Sequence, residues 1–298
     1  MLSDKVFKYN LESFDNIKKN LNVKISKSVL DKIENITNEI TNFNKNNQNK
    51  HISKENWNNN KNFKVTKFIK KEGFEKKLNI IRINLNKITN KNYEVLSSII
   101  FNEINNIDKN NINDFLNIKQ LIIETASNIN IYSEIYVRLF KYLLDVYDKK
   151  IFDVSNNFNI FKNEIINIKI TDSVHVNYDD YCSNKKSCEQ KKNLCLFYVN
   201  MMKQDILCKT DIIDLILIIQ EYNFEMTNDI NKNNIIDILC EFIYILVKNS
   251  FDYIKDKDKY EKIYNNILKI KKLKKDNNNS LTSKSKFKHM DILDLISL

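Results

Sequence analysis

An all-α fold is what this sequence predicts, and three observations carry that prediction. The first is backbone chemistry: one glycine and no proline stand among 298 residues. Two-residue hairpin turns lean on glycine, and an all-β chain of this length would need many of them. The same scarcity excludes phosphate-cradling loops of the G-x-x-x-x-G-K-S/T or G-x-G-x-x-G type, which need backbone positions that only glycine tolerates. The second is apolar residues recurring at helical spacing from Gly73 onward, and the third is the run of Asn-rich polar segments between those stripes.

Taken in order, residues 1–45 read as a helical N-terminal extension, with Val29, Ile33, Ile36 and Ile40 at helical spacing. Residues 46–71 read as an Asn/Lys-rich linker that carries Trp57, the one tryptophan of the chain. A large aromatic in such a segment docks either on its own domain or on a partner. Residues 72–298 form the main domain. Phe74, Leu78, Ile81, Leu85 and Ile88 make an amphipathic stripe, Thr89–Asn92 a turn, and Tyr93–Ile107 a second helix. Further helices are expected at 112–128, 131–147, 158–169, 186–206, 210–222, 232–254, 259–274 and 284–297. Ile135, Leu139, Tyr142 and Val146 read as a second stripe of the first kind. Ile212–Ile219 and Ile235–Val247 are apolar nearly all round and should lie between neighbours on several sides. The 170–185 stretch, with His175, Asp179 and Asp180, reads as a long acidic loop. Paired in sequence, these helices give about five antiparallel hairpins at a period of about 40 to 50 residues, the mark of a HEAT-type α-solenoid. A non-repetitive helical bundle is the alternative.

Composition bounds function. Hydrophobic residues make up 42% of the chain, with 17 Phe and 14 Tyr, which is enough for a packed core. Lys+Arg 48 against Asp+Glu 38 gives a net charge of +10, which favours polyanionic partners such as RNA or serves solubility. The N-terminal MLSDKVFKYNLESF lacks a basic-then-apolar signal pattern, and no apolar run reaches membrane-spanning length. Five cysteines without a C-x-x-C pair point to reduced thiols, a cytoplasmic setting and small core residues rather than zinc ligands. No nucleophile, metal or cofactor constellation can be argued from spacing, so the expectation is a non-enzymatic protein without cofactor, membrane contact or small-molecule substrate.

Two segments carry more specific information: Leu85-Asn86-Lys87-Ile88-Thr89 followed by Tyr93 and Leu96, and the C-terminal Ser283–Leu295, SKSKFKHMDILDL. Both resemble the middle domain of the eukaryotic translation initiation factor 4 gamma scaffold. There the first repeat reads LNKLT before an aromatic and a leucine, and the last carries a basic-Phe segment running into D-hydrophobic-Leu-Asp-Leu. Between them, FYVNMMKQDIL over 197–207 is similar to that domain's third-repeat helix at Phe197, Lys203 and Leu207. Val199 replaces the family's glycine there and Met202 its second phenylalanine, which bears on close packing rather than on the fold. The resemblance covers roughly residues 55–298. It implies a non-catalytic scaffold that clamps both lobes of a DEAD-box RNA helicase, stimulates it, and binds RNA. It places Trp57 and Phe287 at the helicase interface, with Asp291 and Asp294 as acceptors on the adjoining helix; plain core is the competing reading of Phe287. A related middle domain from mRNA decay or nuclear cap-binding complexes, or an adaptor without RNA binding, are the alternatives.

Lys64, Lys67, Lys70, Lys71, Lys76, Lys77 and Arg82 belong to a basic run between 61 and 91 that only Glu72 and Glu75 oppose, with Phe63 and Phe68 interleaved. Cations alternating with aromatics suit single-stranded RNA. Lys271, Lys272 and Lys274 make a second basic cluster at a helix end, which the macrodipole also explains. In the resembling family a cap-binding protein recognises a Y-x-x-x-x-L-hydrophobic helix. Tyr9 and Phe14, with Lys18 after them, make a degenerate version of it, with Asp15 where the motif needs an apolar residue, and an ordinary N-terminal amphipathic helix is the stronger reading.

Overall fold

A computed structural model describes residues 15–16, 19, 27, 31–32, 34, 37, 72–147, 149–168, 178–229, 231–255, 259–273 and 280–296. Two compact units divide the chain, Met1–Ile69 and Lys70–Leu298. In the first, every described position, such as Asp15, Lys27 and Glu34, is helical and exposed. Trp57 and the linker lie outside the described residues.

The second unit is all-helical, with no strand among the described residues. Its helices are α1 (Gly73–Lys87), α2 (Tyr93–Asn105), α3 (Ile112–Asn128), α4 (Ser133–Val146), α5 (Lys149–Phe152), α6 (Ser155–Ile166), α7 (Tyr178–Lys203), α8 (Lys209–Thr227), α9 (Asn233–Ile254), α10 (Tyr260–Lys272) and α11 (Ser283–Ile296). The α1 stripe points inward as its spacing demands, with Ile81, Leu85 and Ile88 fully buried. Asn92 builds the turn after it. Its side-chain oxygen accepts the Thr89 N–H at 2.6 Å while its amide donates to the Lys87 carbonyl at 2.9 Å. That local bonding replaces the glycine that usually closes a helix.

Consecutive pairs pack together: α1 on α2, α3 on α4, α6 on α7, α8 on α9 and α10 on α11. Successive pairs are joined as well, through α1·α3, α4·α7, α6·α8, α7·α9, α8·α10 and α9·α11, while α7 also lies against α3. Between α2 and α4 the link is aromatic and ionic. The Phe101 and Tyr142 rings stack at 3.8 Å, and Arg138 sits 3.8 Å over Tyr93 and 3.5 Å from Glu94. One apolar core runs through the whole unit, from Leu78 to Leu293. Both all-round apolar segments sit as expected: Ile212, Ile213, Leu215, Ile216, Leu217 and Ile219 are buried on α8, and Leu239, Phe242, Ile243, Leu246 and Val247 on α9. Val199 and Met202 are core residues.

Four expectations need correction. The supposed acidic loop is helix from Tyr178, which puts Asp179 and Asp180 in the first turn of α7, where negative charge suits the dipole. The α4 stripe was misread: Ile135 and Leu139 are buried, but Tyr142 and Val146 are 41% and 50% exposed. Tyr136, Phe140 and Leu143 take the core positions, because the helix turns its next face toward α7 and α5. A short helix, α5, was not foreseen; Asp153 after it starts α6 early by accepting the N–H and hydroxyl of Ser155. Finally, Cys188, Cys195 and Cys240 are buried, whereas Cys182 and Cys208 are exposed.

Candidate partner and RNA interface

Helix α11 is entered through a reciprocal cap. The Ser285 N–H donates to Thr282 Oγ1 at 2.9 Å, and the Thr282 N–H donates to Ser285 Oγ at 3.2 Å. The Thr282 hydroxyl also donates to Asp237 on α9, which fixes the rotation of the helix about its own axis. That rotation buries Ser285, His289, Ile292 and Leu293. It leaves Phe287, Met290, Asp291 and Asp294 outward, at i, i+3, i+4 and i+7 on one helical face. Phe287 is 63% exposed and Met290 38%. The core reading of Phe287 is thereby removed; its neighbours Lys286 and Lys288 are occupied differently.

Lys286 donates to the Leu273 carbonyl at 2.8 Å, satisfying the C-terminus of α10. Lys288 lies 4.0 Å over the Tyr244 ring and 4.0 Å from Asp291. Lys284 bonds Glu241 at 2.7 Å, and Glu241 also pairs with Lys192 of α7. Burial works to raise the Glu241 carboxyl, but the hydrogen bonds from Lys192 and Lys284 outweigh it and hold it below the ordinary carboxylate value. One carboxylate thus ties α7, α9 and α11 together beside the exposed face. Glu241, Lys192 and Tyr244 escaped sequence reasoning, because their partners lie on other helices. Met290 was within reach: its i+3 spacing from Phe287 was the signal.

The basic residues divide. On α1, Lys76 is exposed, while Lys77 and Arg82 are half-buried. Lys77 donates to the Asn106 carbonyl at the end of α2, so part of its capacity is used within the fold. Lys271 and Lys272 are exposed in the last turn of α10. Lys64, Lys67, Lys70, Lys71 and Lys274, with Tyr9, Phe14 and Lys18, lie outside the described residues. Among the described residues no group of His, Cys, Asp and Glu could hold a metal ion, and no helix is long and apolar enough to cross a membrane. No family model matches the chain, and no curated protein does.

Proposed function

We propose that the protein is a non-catalytic translation-initiation scaffold that binds and stimulates a DEAD-box RNA helicase and contacts RNA, as the resemblance to the factor 4 gamma middle domain implies. The reading takes the paired helices as a HEAT-type solenoid. Its two ends would engage the two lobes of the helicase and favour one lobe arrangement over another. One observation carries it: Phe287 stands 63% exposed on a helix whose other side is core, with Met290, Asp291 and Asp294 on the same face. An aromatic anchor ringed by polar groups is the usual centre of a protein interface. Trp57 is the second proposed anchor, and recruitment of a cap-binding protein through the Tyr9 segment remains part of the proposal. The α1 and α10 lysines are the proposed RNA contacts.

The test is ATPase stimulation of the cognate helicase. The wild-type chain raises turnover, and Phe287→Ala with Trp57→Ala keeps the helical circular dichroism but loses binding. Each anchor is worth about 2 kcal/mol or more. Unchanged affinity of the double variant would sink the assignment of these anchors. Stimulation of a decay helicase instead of the initiation helicase would move the protein to the related decay machinery.

A further inference from the structure

A second basic-aromatic site lies away from both lysine runs that the sequence singles out. Tyr253, near the end of α9, is 40% exposed. The Lys203 and Lys209 ammonium groups each lie 5.8 Å from its ring centroid. These lysines come from different helices: Lys203 ends α7 and Lys209 begins α8. Neither has a carboxylate partner among the described residues, so their charge is left for solvent or a ligand. Of the carboxylates close by in the chain, Asp211 accepts the Cys208 N–H at 3.2 Å and Asp252 pairs with Lys255 at 3.6 Å. Asp153, which also lines the adjacent cleft, is engaged by Ser155, and Asp205 sits in the connection between the two lysines.

The connection between the two lysines also lines a cleft. Ile206 joins Leu144, Phe152 and Val154 to make its apolar wall, and Lys149 and Lys150 stand at its edge. Its volume is about 360 Å³, within the range that holds a small organic group. A ring flanked by two cations, next to an apolar cleft rimmed by two more, has the parts that single-stranded nucleic acid requires: faces for bases and cations for the backbone. An exposed lysine–ring contact is weaker than base–ring stacking, so a base can displace the lysines from Tyr253 while they turn to phosphate. An acidic peptide would use the lysines but has no use for the exposed ring face.

We infer that the corner formed by α5 and the ends of α4, α7 and α9 with the start of α8 binds single-stranded RNA, Tyr253 stacking one base and Lys149, Lys203 and Lys209 neutralising phosphates. This rests on the RNA-contacting part of the proposed function but stands without the helicase.

The experiment is anisotropy titration of fluorescein-labelled oligouridylate, about 12 nucleotides long, into the full chain at several salt concentrations. Lys149→Ala/Lys203→Ala/Lys209→Ala is expected to weaken binding at least tenfold. It should also flatten the log K against log salt slope by about 2, at about 0.7 per phosphate contact. Tyr253→Ala should weaken binding about tenfold with the slope unchanged, while Tyr253→Phe, which keeps the ring, binds as wild type. Circular dichroism confirms that each variant is folded. A triple variant with wild-type affinity and slope would overturn the site, as would displacement of the RNA by polyglutamate at equal charge. Loss of RNA binding in these variants with helicase stimulation retained supports the corner as a separate site. Corner-dependent RNA binding by a chain that stimulates no helicase overturns the scaffold reading alone.

Discussion

His289 faces inward on α11, 1% exposed, and its Nδ1 donates to the Ser285 carbonyl at 2.8 Å. Burial pushes its imidazole below the usual 6.5, and the bond to Ser285 offsets only part of that. The folded chain therefore holds a neutral His289 at a pH where the unfolded chain takes up a proton. Stability is full above about 6.5 and declines as pH falls from there to the lowered folded value, by at most about 1.4 kcal/mol per pH unit. His289→Gln should remove that slope from urea melts between pH 7 and 5, and a slope equal to wild type would show that another group carries it. In the sequence His289 is only one residue of the Ser283–Leu295 segment. Its burial follows from the rotation that the Thr282 bond to Asp237 imposes on α11. Phe287, two positions away, is exposed, and nothing local in the sequence distinguishes an exposed phenylalanine from a core one.

At the scale of elements, apolar periodicity was enough where one stripe faced one neighbour, as on α1. It failed on α4, where several helices converge and the buried sector is wide enough to move the stripe. The start of α7 was missed for a related reason: Tyr178–Lys185 buries none of its side chains, so no apolar period announces it. Two predictions belong here. Phe242→Ala, at a fully buried position on α9, should cost about 3–5 kcal/mol in urea unfolding, while Ile131→Ala, at 82% exposure, should stay within about 0.5 kcal/mol. Equal losses would contradict the burial pattern. Glu241→Gln should cost about 1 kcal/mol, between an exposed and a fully buried pair. Because the folded Glu241 carboxyl lies below its ordinary 4.5, that contribution is present above 4.5 and disappears as pH falls through the folded value. Variant and wild type should converge in acid, and a gap that persists there would mean packing, not charge, is lost.

Across the molecule, stability should be uneven. The α8–α9 pair buries residues on several sides, and Gln220 and Asn266 bind it further to α10 through bonds of 3.1 Å to Ile263 and to each other. The first turns of α7, residues 178–187, bury no side chain. Amide hydrogen exchange should be slowest in 212–219 and 239–247 and fastest, among the described helices, in 178–187. Uniform protection would refute a core that runs unevenly through the stack. The sequence by itself determined that the chain is helical, roughly where most helices lie, and which loops cannot exist, because glycine scarcity and apolar period act over a few residues. Only the tertiary structure decided which face of α11 carries Phe287 outward, that Glu241 joins three helices, and that Tyr253 meets two lysines from elsewhere in the chain. Those outcomes depend on residues about 45 to 50 positions apart being brought together, and such distances leave no periodic trace in the sequence.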